Sequence, residues 1–392
     1  MKKCIGIVSM YHGSRNYGGL LQAFALCEFL NNHGYDAKQI DLPPVAMNTV
    51  NSRIERIKNN PIKFLKGVPD AISSRIRNAL FRLFRRDLYE SCISRDRLMD
   101  SFRESIPHVD TVKKAEEMHK YNNDFDSFIC GSDQIWNPYA FRPEYFLKFA
   151  DENKNKIAYA ASIAKKEINN EDLAIIKNNI HNIDFVSVRE KNAKELLNGV
   201  CDKDIKTVLD PTMLLSSDEW ESHLIKSNVS GDYIFCYMLE DDYKRKQFVK
   251  RFAKENHLRV VSLPKVSGSA TWNDICFKYV SGRADTPFEF LSLIHDAKYI
   301  ITDSFHAVVF SCIFRKEFLC FECRRTKTLF PRIENLLSTF NCEDRYFIDV
   351  DQRAYDVVSN KIDYTSGEDK YKKMREESAD FLFSAIYNKK NI

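Results

Sequence analysis

The stretch from Lys298 to Glu317 constrains the fold of this chain more than any other part of its sequence. An apolar strand, Tyr299 to Thr302, stops at the polar cluster Asp303-Ser304-Phe305-His306, and an apolar helix follows directly. In α/β sheets, ligands bind beyond the carboxyl ends of the strands, where the next helix presents free N–H groups. A lone histidine is more often structural than functional. His306 therefore indicates a ligand-binding cleft only if other parts of the chain repeat this pattern.

Three more segments do repeat it. Near the start, the apolar strand Ile5 to Met10 leads into the glycine-containing loop His12 to Gly19, and a helical pattern begins at Leu20. Two later strands also end in polar residues: Phe125 to Cys130 before Gly131-Ser132-Asp133-Gln134, and Phe185 to Val188 before Arg189 and Glu190. The repetition favours a site built from several strand ends.

Strands and helical segments alternate along the chain, which predicts parallel sheets covered by helices. One series of strands ends near Leu209, and a second begins at Tyr233. A chain of 392 residues is also longer than one hydrophobic core usually organises. We therefore predict two α/β domains, residues 1–215 and 216–365, with a last helical segment, 366–392, that packs back on the first domain.

The composition, 44% hydrophobic and 29% charged, is typical of a folded protein. No apolar run is long enough for a membrane span, and the apolar stretch at the amino terminus is too short for a signal peptide. The eleven cysteines are odd in number and scattered, which favours reduced thiols in the cytoplasm. Cys320 and Cys323 have CxxC spacing, but no second pair and no nearby histidine completes a zinc site. We predict a cytoplasmic protein without a bound metal.

Basic residues are concentrated in one segment, within a helical insertion predicted at about residues 50–115. Between Arg53 and Arg103 there are 13 Lys or Arg and 6 Asp or Glu, whereas the whole chain has a net charge of only +4. Apolar residues from Ile72 to Leu83 recur at helical spacing between arginines. Such a helix can lie on an anionic membrane surface, or it can be the solvated face of a packed insertion. The sequence leaves both interpretations open.

Six motifs occur in a fixed order along this chain: NYGGLLQAFAL, FICGSDQIWNP, YAASIA, VSVRE, VLDPTMLL and ITDSFHAVVFSCI. In order and spacing they resemble the polysaccharide pyruvyl transferase family, from about Ile5 to about Leu337. Each motif alone is weak, but six in sequence are specific. The resemblance implies two Rossmann-like domains that face a cleft, as in glycosyltransferases of the GT-B fold.

The resemblance also implies a reaction. Members of this family transfer the enolpyruvyl group of phosphoenolpyruvate onto two hydroxyls of a sugar, giving a pyruvate ketal in surface polysaccharides of the capsule or exopolysaccharide type. Phosphoenolpyruvate is then a substrate, and no cofactor is expected. Its phosphate and carboxylate suit arginine ligands, and protonation of its vinyl carbon requires a general acid.

The family motifs assign roles to two residues here. His306 matches the family histidine and is the expected general acid, and Arg189 matches the arginine of the VRE-like motif and is the expected donor ligand. One position departs from the family, because Ser304 stands where many members have an arginine. We expect the missing donor contact from Arg324 and Arg325, with Arg332 as a weaker candidate; paired arginines are equally often solvated surface residues.

Six residues near the other strand ends are expected to bind the acceptor sugar or to close the cleft: His12, Asn16, Gly18, Asp133, Gln134 and Trp136. Glycine lets the backbone approach a ligand, polar side chains can bind hydroxyls, and an indole can stack on a sugar. The alternative is that the glycines permit a tight turn, Asp133 caps a turn and Trp136 fills the core. We interpret Asp210, before Pro211, as a structural turn at the domain junction.

Two other functions stay open from the sequence. One is a glycosyltransferase that uses a nucleotide sugar, and the other is a non-catalytic scaffold of a polysaccharide assembly complex at the membrane. For the transferase, we expect a sugar acceptor linked to a lipid and a peripheral contact with the inner face of an anionic membrane. A P-loop kinase is disfavoured because there is no GxxxxGK[ST] run, and nucleic-acid binding is disfavoured because the basic charge lies in one helical segment.

Overall fold

The computed structural model describes residues 2–42, 79, 82–83, 86–112, 114–138, 141–165, 167–226, 229–240, 242–263, 280–281, 286–323 and 330–388. Most of the predicted basic segment, including nearly all of the amphipathic stretch from Ile72 to Leu83, lies outside these residues. Arg324 and Arg325, the two arginines expected at the donor site, lie outside them as well.

The first half of the chain forms a parallel sheet of seven strands in the order β3-β2-β1-β4-β5-β6-β7. Apolar residues fill it on both faces; every residue of β5, for example, is buried. The strands are β1 Cys4–Val8, β2 Asp36–Ile40, β3 His108–Val109, β4 Ser127–Cys130, β5 Asn155–Ala161, β6 Phe185–Val188 and β7 Ile205–Thr207.

Four α-helices accompany this sheet: α1 Tyr17–Asn32, α2 Arg86–Ser105, α3 Asn170–Ile180 and α4 Lys191–Asn198. Short 3-10 helices cover Ala115–Asn123, Pro143–Phe146 and Pro211–Met213. The start of α1 is fixed by Asn16, whose side chain accepts a hydrogen bond from Gly18 N. Its end is followed by Gly34, whose φ of +88° suits glycine.

The second half repeats the architecture with a six-stranded parallel sheet in the order β10-β9-β8-β11-β12-β13. Its strands are β8 Tyr233–Tyr237, β9 Arg259–Ser262, β10 Val280–Ser281, β11 Tyr299–Thr302, β12 Glu317–Phe321 and β13 Tyr346–Phe347. Its helices are α5 Ser217–Glu221, α6 Tyr243–Glu255, α7 Pro287–Asp296, α8 Phe305–Ile313, α9 Phe330–Thr339, α10 Gln352–Ser359 and α11 Thr365–Tyr387, with a 3-10 turn at Glu343–Arg345. Two parallel sheets confirm the predicted α/β class.

The two halves share packing contacts at several places. Tyr17 of α1 stacks on Phe290 of α7 with a centroid distance of 4.6 Å. The last helix, α11, lies against the first sheet, where the Asn155 amide donates to the carbonyls of Ala385 and Ile386. Among the described residues, none of the helices combines the length and the apolarity needed to cross a bilayer.

Candidate active site

His306 lies in the first turn of α8, directly beyond the carboxyl end of β11. Its side chain is almost fully buried, at 6% exposure, between the two halves of the molecule. Gly18, at the start of α1, allows this packing, because a Cβ at that position would lie 2.0 Å from His306 Nδ1. The amino-terminal motif and the histidine motif therefore meet, and glycine is required here for close approach.

Asp210 connects this histidine to the first sheet. Its Oδ2 lies 3.8 Å from His306 Nε2 and accepts hydrogen bonds from Arg189 Nη1 and, at 3.3 Å, from the Ser132 hydroxyl. Its Oδ1 accepts from the backbone N–H of Thr212 at 3.0 Å and from the Thr212 hydroxyl at 2.7 Å. Both carboxylate oxygens are thus held in place, and the negative charge faces the imidazole.

Burial and charge oppose each other in this pair. Burial alone would raise the pKa of Asp210, but Arg189, His306 and the Thr212 donors lower it below its usual value. Burial lowers the pKa of His306, and the nearby carboxylates of Asp210 and Asp133 offset only part of that effect. The buried imidazole is therefore neutral near pH 7 as long as no further anion lies beside it.

Arg189 and Arg332 lie next to each other beside the histidine. Arg189 Nη2 and Arg332 Nη1 are 3.8 and 3.9 Å from the same Asp133 oxygen, and both Nε atoms are 3.9 Å from the same Glu190 oxygen. These separations are too long for hydrogen bonds. Both guanidinium groups also contact the ring of Phe305, at 4.8 and 5.3 Å from its centroid.

Several polar atoms of this cluster have no hydrogen-bond partner within the described part of the chain: Nε and Nη2 of Arg189, Nε of Arg332, Oε2 of Glu190 and Nε2 of His306. Burial, with the like charge of Arg189, lowers the pKa of Arg332 to about 10, and burial raises the pKa of Glu190. Unsatisfied buried charges are expensive, so their presence here indicates a site that a ligand completes.

An open cavity of about 490 Å³ adjoins the two arginines. It lies between β7, α4, α9 and α11, and both arginines, Asp210 and Phe305 contribute to its inner end. Its other lining residues are Lys191, Thr207, Val208, Leu209, Met213, Asn335, Leu336, Ser338, Thr339, Lys370 and Met374. A space of this size is within the range of small-molecule sites.

The structure brings together five of the residues expected from the sequence: His306, Arg189, Ser304, Gly18 and Asp133. Ser304 precedes α8 and its side chain makes no capping hydrogen bond. Asp133, with a φ of +68°, faces the two arginines, so it is occupied by cations in this structure. Asn16 is the N-cap of α1.

Three other expected acceptor residues lie elsewhere. The indole of Trp136 is 1% exposed and stacks on Phe146, so the expectation that it stacks on a sugar is wrong for this structure. His12 pairs with Asp41 at 2.7 Å, beyond the end of β2. The amide oxygen of Gln134 accepts from Asn137.

Sequence reasoning missed the role of Asp210 and Glu190 and underrated Arg332. Asp210 does cap a turn, as interpreted, yet the same carboxylate also contacts Arg189 and His306. The available signal was its position directly after a strand, which is the criterion that selected His306. Arg332 gave no comparable signal, because it reaches the site from the first turn of α9.

A separate group of possible metal ligands lies at the edge of the second sheet. Side-chain atoms of Glu240, Asp303 and Cys323 lie within 4.8 Å of one another. Arg245 Nη1 lies 3.6 Å from Glu240, so a cation already neutralises part of this charge. The Asp303 carboxylate accepts from the backbone N–H groups of Leu239 and Glu240, which gives it a structural role.

Comparison with known proteins is consistent in class. The family model described as polysaccharide pyruvyl transferase matches residues 16–325. No curated protein sequence matches the chain.

Solved structures with similar folds include a putative UDP-N-acetylglucosamine 2-epimerase from Listeria monocytogenes (TM-score 0.47, 11% identity, covering 98% of this chain and 96% of that one). Another is UDP-GlcNAc 2-epimerase from Methanocaldococcus jannaschii (TM-score 0.47, 12% identity, 97% and 100%). A third is ADP-heptose lps heptosyltransferase II from E. coli (TM-score 0.37, 9% identity, 97% and 100%).

Proposed function

The chain belongs to the polysaccharide pyruvyl transferase family, and from this premise we propose that it moves the enolpyruvyl group of phosphoenolpyruvate onto two hydroxyls of a sugar. The product is a pyruvate ketal, and inorganic phosphate is released. The observation that carries this proposal is the pair of buried arginines, Arg189 and Arg332, beside His306, with N–H groups that lack hydrogen-bond partners among the described residues.

The arginine pair is suited to the donor. Phosphoenolpyruvate has a phosphate and a carboxylate, and each can accept paired hydrogen bonds from a guanidinium. In the structure without donor, Arg189 and Arg332 are balanced only by carboxylates, at distances that leave their N–H groups unpaired. We assign Arg332 the second donor contact, for which the sequence suggested Arg324 and Arg325. The anionic donor completes the hydrogen bonding of both guanidinium groups.

His306 is assigned as the general acid. Its buried imidazole has a lowered pKa, so it holds little proton at pH 7 before the donor binds. A donor with a phosphate and a carboxylate adds negative charge close to the ring, which raises that pKa and charges the imidazole when it is needed. Asp210, 3.8 Å from Nε2, is a positioning residue that keeps the ring in register with Arg189.

The steps balance as follows. His306 gives a proton to the vinyl CH₂ carbon, which becomes the methyl group, and C2 becomes electrophilic. The first sugar hydroxyl adds to C2 and its proton returns to His306. The C2–O bond to phosphate then breaks, the second hydroxyl adds to C2, and its proton leaves with the phosphate. The arginines stabilise the phosphate as its charge increases.

The test is to incubate the protein with phosphoenolpyruvate and a set of sugars, free, nucleotide-linked and lipid-linked, while phosphate release and the mass of the sugar are followed. The proposal predicts phosphate release coupled to a mass gain of one pyruvyl group, with one solvent deuterium in the methyl group when the reaction runs in D₂O. Transfer of a sugar from a nucleotide sugar, without consumption of phosphoenolpyruvate, would instead identify a glycosyltransferase.

A further inference from the structure

The cavity beside the arginine pair extends beyond what the donor requires. Its inner end has the buried Arg189 and Arg332, whereas the side chains of Lys191 and Lys370 are exposed at its mouth. Asp210 is the one acidic residue among the described residues that line it, and that carboxylate already pairs with Arg189. The mouth therefore has an excess of positive charge that no lining residue offsets.

The amino terminus of α4 adds to this charge. The N-cap residue of that helix, Glu190, makes no side-chain capping hydrogen bond, and Lys191 is the first helical residue. An uncapped helix start presents N–H groups and a positive dipole end, which favours an anion. The unpaired N–H groups of the buried arginines open on the same cavity, so two independent features attract negative charge there.

Between its inner end and its mouth, the cavity is lined by apolar and hydroxyl groups. Leu209, Leu336 and Met374 are apolar, and Ser338 and Thr339 follow from α9. Asn335 also lines it, and its amide Nδ2 is buried without a hydrogen-bond partner within the described chain. Such a mixture suits a sugar ring, whose C–H faces contact apolar side chains and whose hydroxyls accept from an amide.

We propose that this cavity is the acceptor subsite, with the sugar near Asn335 and a diphosphate linkage between Lys191 and Lys370 at the mouth. The inference rests on the proposed function for the identity of the acceptor. A diphosphate linkage is shared by lipid-linked and nucleotide-linked sugars, and the carrier itself extends out of the cavity. This places the acceptor away from His12, Gln134 and Trp136.

Binding is tested first, without turnover. Farnesyl diphosphate and UDP serve as the lipid and nucleotide probes and are titrated by calorimetry into wild type and into the Lys191→Ala/Lys370→Ala double variant at low salt. At least one probe binds wild type, and the double variant binds it about tenfold or more weakly, since each lysine contributes a charge-assisted hydrogen bond. Binding of only one probe identifies the type of carrier.

Two matched variants control for general charge effects. Lys194→Ala lies on α4 and Lys373→Ala on α11, but neither lysine lines the cavity. Both are expected to bind the probe like wild type. The proposal is overturned if neither probe binds wild type, or if the double variant binds both probes as wild type does.

Turnover separates this proposal from the proposed function. With a diphosphate-linked sugar, the double variant has a raised KM for the acceptor and an unchanged affinity for phosphoenolpyruvate, and Asn335→Leu raises the acceptor KM further. If no acceptor releases phosphate from phosphoenolpyruvate in wild type, the pyruvyl transfer fails, while the probe titrations still decide the anion subsite. If turnover occurs and both KM values are unchanged in the double variant, the subsite alone is wrong.

Discussion

The molecule buries arginines in two different ways, and the contrast separates a structural role from a binding role. Arg345, in the second half, is 2% exposed, and its two terminal nitrogens donate to the carbonyls of Val357 and Asn360 at 2.9 Å each. Arg332 is 5% exposed, yet within the described part of the chain no hydrogen bond satisfies it, and the nearest carboxylate oxygens are 3.9 Å away.

The difference has an energetic meaning. A buried charge with good hydrogen bonds can be neutral or favourable for stability, whereas one without them keeps most of its desolvation penalty. Arg345 joins the end of α10 to the 3-10 turn that contains it, so we infer that it stabilises the fold. Arg332 and Arg189 instead hold unpaired donors toward a cavity, so their hydrogen bonds are available to an anionic donor.

The largest effect is expected at His306, because it belongs to the region that we assign to function. His306→Ala should retain its fold and its affinity for phosphoenolpyruvate but lose about 10²–10⁴-fold in turnover, the usual contribution of a positioned acid. His306→Gln should be no better, since an amide cannot deliver the proton. Initial rates and thermal unfolding of the same samples check this. A folded alanine variant with near wild-type rate would move the general acid to another residue.

Stability should respond in the opposite way at Arg345. Arg345→Ala removes two hydrogen bonds from a charged donor to helix-end carbonyls and should lower the free energy of unfolding by about 3 kcal/mol. Arg332→Ala removes a buried charge without hydrogen bonds and should lower it far less, or raise it. Urea unfolding of both variants beside wild type measures the difference. Equal losses of stability would remove the distinction drawn between the two arginines.

The pH dependence of the rate tests the contact between Asp210 and His306. The negative charge of Asp210 raises the pKa of His306, so Asp210→Asn should lower that pKa further. Because the acid form is required, kcat/KM falls as pH rises through this pKa, and in the variant the fall should begin at lower pH. Asp41→Asn, which changes the aspartate beside His12, is the matched control and should leave the profile unchanged. The same profile in both variants would exclude Asp210 as a positioning residue.

The smallest structural change addresses the close approach at Gly18. Gly18→Ala places a methyl group 2.0 Å from His306 Nδ1, so α1 or the imidazole must shift. We expect reduced turnover with a smaller loss of donor affinity, because the ring moves while the arginines stay. Rates and donor titrations check this against Gly19→Ala, where the nearest atom would be Ser14 Oγ at 3.3 Å. Wild-type kinetics in Gly18→Ala would mean that the ring has room to spare.

Local patterns were enough to predict the two sheets and the meeting of strand ends near His306. Strand β11 has the bounds expected from the sequence, and Arg189 follows β6 as expected, because apolar runs that end in polar residues are local signals. Trp136 was misjudged because a large aromatic after a strand packs wherever tertiary contacts offer a surface, here Phe146. Arg332 was underrated because its role depends on how α9 lies against Phe305, which no sequence spacing contains.

The central claim is that the arginine pair binds the donor, and titration calorimetry with phosphoenolpyruvate tests it most directly. The account predicts that Arg332→Ala binds the donor about 10- to 100-fold more weakly than wild type, because a charge-assisted hydrogen bond is lost. Adding Ser304→Arg to that variant should restore part of the affinity, and Arg345→Ala should bind like wild type. A folded Arg332→Ala protein with wild-type affinity for phosphoenolpyruvate would contradict the account.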